Sequence, residues 1–247
     1  MNPFRFWRLR PSAGPSVWLR MGLMTAGAYL PSFVASDALE SSGNLVSAQV
    51  AGSLLAVPAA SFAEAFCLRA FGGQKFSLAR TWWIVTATEL LALLKVMQWA
   101  CLGAVPGGLL LGLYGAHEAG WMVIAGALCL LGPALWRYAS FLVAPQAIAF
   151  QGFAYSRALE SSEASWRAGG RLRFAVSCAS IAVVSYAPWL ALQAAGVPPE
   201  PANDWTGGSW ARSGAVHASD VLSALGSVWL LTGLFRAAAP QGAGGAA

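Results

Sequence analysis

Hydrophobic residues run along this chain in long blocks separated by short polar interruptions, without the alternation of a half-buried strand. The first block covers about 17–35 and ends at a polar patch carrying Asp37, Glu40 and Asn44. The second, about 45–68, is interrupted only by Pro58 and Glu64, and Arg69-Ala-Phe-Gly-Gly-Gln-Lys75 after it predicts a short loop. Apolar character then persists over 82–113, beyond the roughly 20 residues that cross a bilayer core. A span over 82–105, broken at Pro106-Gly-Gly, is therefore predicted.

The next block, 121–153, is again overlong and contains Arg137 and Pro145. It predicts a span over 120–143 followed by a cytoplasmic amphipathic helix over about 146–169, with Arg157, Glu160, Glu163 and Arg167. A fifth span over 172–195 stops at Gly196-Val-Pro-Pro-Glu-Pro, because proline removes a helical donor and clashes with the preceding turn. The connection up to Ser213 reads as an ordered or interfacial loop, the last span as 215–235, and the Gly/Ala-rich 237–247 as a flexible tail. The expected fold is all-α: a polytopic transmembrane helical bundle of about six membrane-spanning helices plus the amphipathic helix, one domain over 1–247.

Composition agrees with the pattern. Of 247 residues, 57% are hydrophobic and 10% charged, against roughly 25% charged in a soluble domain. The net charge of +5 does not point to nucleic acid, because the basic residues lie at the ends of apolar blocks rather than on one polar face. With six spans and a cytoplasmic N-terminus, twelve of the fifteen Lys and Arg fall inside: Arg5, Arg8, Arg10, Arg20, Arg69, Lys75, Arg80, Arg157, Arg167, Arg171, Arg173 and Arg236. Discarding the first block would move the N-terminal arginines across the membrane, which argues for six spans. The long basic segment before it, and the similar apolar blocks that follow, argue against reading 21–34 as a cleaved signal. The expected location is the inner membrane of a bacterium, multi-pass, with both termini cytoplasmic. Tryptophans near span ends, such as Trp82, Trp83 and Trp121, suit the headgroup zone, whereas Trp99, Trp136 and Trp229 lie deeper and are expected to fill space between helices.

Candidate chemistry is sparse. Ionisable groups in hydrocarbon cost on the order of 2.5–3.5 kcal/mol each and need partners, which singles out Glu64, Glu89, Lys95 and Arg137. Glu64, Glu89 and Arg137 all lie towards the cytoplasmic ends of their spans, where they can meet as a charge cluster. Such a cluster serves either as a relay for protons or solutes or as a device that fixes helix packing. Lys95, six residues beyond Glu89, is on the wrong side of the helix for an i,i+4 pair and is expected to snorkel or pair elsewhere. Asp220 is expected near the outer surface. His117 and His217 are too far apart and too near the ends of their spans to suggest a metal or haem, and Cys67, Cys101, Cys129 and Cys178 lack ligand spacing and are expected as free, buried thiols. No phosphate-binding loop, nucleophile triad or HExxH is present, and no cofactor or enzymatic activity is expected. Gly103-x3-Gly107 and Gly108-x3-Gly112 have the spacing of close helix packing.

The segments Ala134-Leu-Trp-Arg-Tyr-Ala-Ser-Phe-Leu-Val-Ala-Pro145 and Arg157-Ala-Leu-Glu-Ser-Ser-Glu-Ala-Ser-Trp-Arg-Ala-Gly169 resemble a pattern in bacterial membrane proteins. These include the membrane domain of glycerophosphoryl diester phosphodiesterases and related six-helix proteins. There an arginine near a helix end precedes a proline and a cytoplasmic amphipathic helix. The resemblance, over about 40 residues, implies a similar bundle and no activity, since the soluble catalytic domain has no counterpart in this chain. The leading expectation is a non-enzymatic subunit or scaffold contacting the lipid bilayer and a membrane protein partner; the alternative is a small transporter or lipid-handling permease using the charge cluster.

Overall fold

The computed structural model describes residues 2, 4–41, 45–117, 120–196 and 207–238, with side chains at all of these except 36–41, 45–51, 53, 114–117 and 207–213. The described residues form no strand. The order is α1 Phe6–Leu9, α2 Pro15–Ser41, α3 Leu45–Ala70, α4 Leu78–His117, α5 Gly120–Ala139, α6 Ala144–Gln146, a π-helical turn Ala147–Gln151, α7 Tyr155–Ala168, α8 Arg171–Ala194 and α9 Gly207–Ala238. The side chains of Asp37, Glu40 and His117, residues 197–206 of the expected loop and residues 239–247 of the expected tail lie outside what is described.

Four stretches are long and apolar enough to cross a membrane: Leu78–Leu113, Gly120–Gln151, Arg171–Ala194 and Gly214–Ala238. The chain is thus a multi-pass membrane protein. The stretch in α9 is the central one, being 61% buried against protein, whereas those beginning at Leu78 and Gly120 are 11% and 6% buried and turn their side chains outward. α9 packs on α1, α2, α3 and α8. Phe6 and Arg10 lie so close to it that a Cβ on Gly233 would meet the Phe6 carbonyl. The Trp229 indole donates to the Pro11 carbonyl at 2.8 Å and packs edge-on against Trp18, so this tryptophan ties α9 to the N-terminal segment.

Several expected boundaries differ. α9 begins at Gly207, inside the expected loop, and continues to Ala238, where Ala237 and Ala238 of the expected tail are buried. α4 does not end at Pro106 but runs 40 residues to His117. Pro106 removes one donor, whereas ending the helix would leave several carbonyls unpaired, which hydrocarbon penalises far more heavily. The glycines beside it serve packing instead: Gly103 abuts the backbone at Cys129, and Gly107 abuts Gly126, seating α5 antiparallel on α4. Gly108 and Gly112, the second predicted pair, face open space. Cys101 also departs from expectation: it is exposed on the outer face, whereas Cys67 and Cys178 are buried.

The expected helix over 146–169 is two pieces. The π-helical turn ends at Gly152, whose φ of 74° is left-handed, and Ala154 is extended before α7 begins. Glycine pays no Cβ penalty there. The fold-back lays α7 under the ends of α4 and α5, burying Ala158, Leu159, Ser162, Ser165 and Trp166 and leaving Arg157, Glu160 and Arg167 exposed. The Ser162 hydroxyl donates to the Ser140 carbonyl at 2.7 Å, pinning α7 to the turn after α5.

Candidate functional site

Glu64 lies five residues before Arg69 on α3, and Glu89 nine residues after Arg80 on α4, about 8 and 14 Å from those basic side chains along each axis. The Trp82 indole donates to the Pro58 carbonyl at 3.0 Å and packs edge-on against Phe62, which draws α3 against α4. The two carboxyl groups then face one another within interaction range. Among the described residues, neither makes an ion pair with a Lys or Arg.

Ser61 completes the pair. Its hydroxyl lies 2.9 Å from the Val57 carbonyl, in the usual back-bond to the preceding turn, and 2.5 Å from Glu89 Oε2. A hydroxyl carries one proton, and a carbonyl can only accept. The Ser61 hydroxyl thus bridges the α3 backbone and the Glu89 carboxyl.

Glu64, Thr88 and Glu89 line a cavity of about 280 Å³ walled by residues that include Leu93, Tyr138, Phe141, Pro145 and Leu159. On the other side of Glu64 a second cavity of about 220 Å³ lies among Thr25, Tyr29, Cys67 and Ser227. Ala60, Glu64 and Leu231 border both, so the partition between them is one turn of α3 and one leucine of α9. Two buried polar side chains around the carboxyls lack partners: the Thr88 hydroxyl, and the Gln146 amide, which sits beside Glu64 without completing a hydrogen bond at either atom. Buried polar atoms are ordinarily paired, so these two mark a place where hydrogen-bonding capacity is held ready.

Arg137 and Lys95 are elsewhere. Arg137 reaches across to α7, its guanidinium meeting both oxygens of Glu163 at 3.0 and 3.5 Å, and its face lies over the Phe141 ring at 4.6 Å. Glu163 also accepts from Arg167 at 2.8 Å. The Arg167 hydrogen bond, with that from Arg137 behind it, holds the Glu163 carboxyl below its ordinary range against a smaller opposing effect of burial. Lys95 approaches the same Phe141 ring, its Nζ 6.0 Å from the centroid, and makes no ion pair among the described residues. Of the four candidates, then, the structure joins Glu64 to Glu89, couples Arg137 to α7, and leaves Lys95 on the outer side of Phe141. Asp220 is exposed on α9, and His217 contacts the Ala26 carbonyl at 3.2 Å.

Sequence reasoning did not single out Ser61, Thr88, Tyr138 or Gln146. The spacing of Ser61 three residues before Glu64 was a signal for a shared face. Gln146 had no such signal, because only the π-helical turn after it fixes where it points. Among the described residues no three His, Cys, Asp or Glu side chains gather where they could hold a metal ion. Comparison of the chain with protein-family models, with curated proteins and with solved structures yields no match.

Proposed function

We propose that this multi-pass membrane protein is a small permease whose working centre is the Glu64–Glu89 pair, with protonation of the pair coupled to passage of a solute through the bundle. The observation that carries the reading is a pair of facing carboxyls without a basic partner, set between two half-open cavities. Had the charged residues existed to lock helices together, Arg137 would be expected on a carboxylate of the pair; it is committed to Glu163. The subunit or scaffold reading rests on the outward apolar surface of α4 and α5, which lipid covers equally well.

The same proposal includes six spans in a bacterial inner membrane, both termini cytoplasmic. α2 and α3 have 27 and 26 residues, about 40 Å of helix, enough for a 30 Å core. The basic residues at 69–80 and 157–173 fall at one end of the bundle in that arrangement, with α7 as an amphipathic helix on the cytoplasmic surface. The likeness of 134–169 to the membrane domain of glycerophosphoryl diester phosphodiesterases is consistent with such a bundle and carries no activity.

The test is proton flux into liposomes containing the purified full chain under an imposed pH gradient. The titratable groups facing the pair are Tyr29 from α2, Cys67 from α3 and Tyr138 from α5; none is cationic, so the carboxyls themselves carry the dependence. Glu89→Gln and Glu64→Gln should abolish the flux while preserving the fold, since each replacement is isosteric. A wild-type chain no leakier than empty liposomes, or variants that conduct as well as wild type, would refute the reading.

A further inference from the structure

The larger cavity also carries information about what it accepts. Its roughly 280 Å³ is room for about nine waters at ~30 Å³ each, far more than a proton path needs. Most of its wall is hydrocarbon and aromatic ring, from residues such as Leu93, Leu142 and Tyr138, and water held there would find few partners. At one end stand Glu64 and Glu89, and beside them the Thr88 hydroxyl, 1% exposed and unpartnered. No Lys or Arg lines the cavity.

These features select a ligand by elimination. An anion or a zwitterionic headgroup would bring its negative part against two carboxyls with no cation to receive it. A bare metal ion takes about six or more oxygen ligands; the carboxyl end offers fewer, and the hydrocarbon wall adds none and would be left without an apolar partner. A pair holding one proton carries a single negative charge, which a monocation neutralises; a buried charge needs such a partner. An ammonium group has three donors, and the acceptors of the cavity gather at that end: the carboxyl oxygens of Glu64 and Glu89 and the Thr88 hydroxyl. The geometry points to a small free organic amine as the ligand, its ammonium between Glu64 and Thr88 and its hydrocarbon body against Leu93, Leu142 and Tyr138. This assignment rests on the permease reading for its purpose but not for its detection, since binding is measured without flux.

The experiment is calorimetric titration of 2-phenylethylamine, cationic at neutral pH, into the full chain in phosphatidylcholine nanodiscs, with 2-phenylethanol as the neutral isostere. The amine should bind saturably and the alcohol should not. Glu64→Gln should weaken the amine at least tenfold by removing a charge-assisted bond, and Thr88→Val severalfold. Ala92→Phe, which fills the cavity from α4, should abolish binding, and unfolding temperatures close to that of the wild type would establish that these variants are folded. Equal binding of amine and alcohol, or a Glu64→Gln variant that binds as wild type, would overturn the assignment. Loss of amine binding on adding phosphatidylethanolamine would overturn the free-amine source in favour of a lipid headgroup. If the amine binds but no proton flux occurs, the transport reading fails and the site stands; if flux occurs without amine binding, the ligand class fails and the relay stands.

Discussion

Gly107 and Gly108 are neighbours on α4, follow the same proline and share one helical conformation, yet they face opposite surroundings. A Cβ at Gly107 would stand 2.9 Å from the Gly126 carbonyl oxygen and 3.0 Å from Leu130, whereas one at Gly108 meets nothing within 4 Å. Ordinary contact begins near 3.4 Å, so Gly107→Ala must push α5 away by 3.4 − 2.9 = 0.5 Å along a seam where the obstacle is backbone. Gaps of that order forfeit a quarter or more of each contact's attraction, and forced insertions of this kind cost about 1–3 kcal/mol. The intrinsic gain from replacing glycine by alanine in a helix applies to both positions and cancels in their difference. For a chain of this size the difference corresponds to a melting temperature about 2–12 °C lower for Gly107→Ala than for Gly108→Ala. Thermal unfolding of the two variants in one mild detergent measures it directly. Equal melting temperatures, or a more stable Gly107→Ala, would mean that α5 does not approach α4 through these glycines.

Two further outcomes follow from the polar architecture. Glu163→Gln leaves the half-buried Arg137 guanidinium without its anion and should cost about 1–3 kcal/mol by chemical or thermal unfolding. Because the Glu163 carboxyl is held below its ordinary value of 4.5, the stability it contributes is complete above that value and is lost only as pH falls through its lower folded value. The wild-type and Glu163→Gln melting temperatures should therefore converge only at pH below 4.5, and convergence already near neutrality would contradict the pairing. Gly152→Ala, at a φ of 74° where a Cβ meets only ordinary contacts, isolates the backbone cost of the left-handed turn and should destabilise by about 1–2 kcal/mol in the same assay.

The apolar blocks were legible because a bilayer demands about 20 continuous residues of any helix that crosses it, and that demand shows without tertiary information. The α4 boundary was not, because Pro106-Gly-Gly is a stop signal in water, whereas in hydrocarbon the unpaired backbone at a helix end outweighs one missing donor. The intramembrane charges stood out individually, but not their pairing. Arg137 is drawn to Glu163 rather than to Glu64 or Glu89 because Gly152 turns the chain and brings α7 back under α5. A single helix over 146–169 would have carried Glu163 away from it. Gly152 was visible within Gln-Gly-Phe, but a lone glycine in an apolar run does not announce a left-handed turn.

The segment containing α6 and the π-helical turn has a consequence that reaches past its length. Val143 and Ala147 pack with Phe6, Trp166, Phe174 and Leu230; Ala149 packs with Met21, Leu68 and Val221; Phe141, Ala144 and Ile148 pack with Ile84, Val85 and Leu159. Six of the nine residues from Phe141 to Ala149 thus distribute over all three hydrophobic clusters of the described residues, and Ala144 and Pro145 also form cavity wall. No cluster can rearrange without this segment, which ties the N-terminal Phe6 to the chamber beside Glu64. The wall of the chamber at Ala144 and Pro145 and the packing that holds Phe6 at Val143 and Ala147 thus lie on one continuous stretch of backbone.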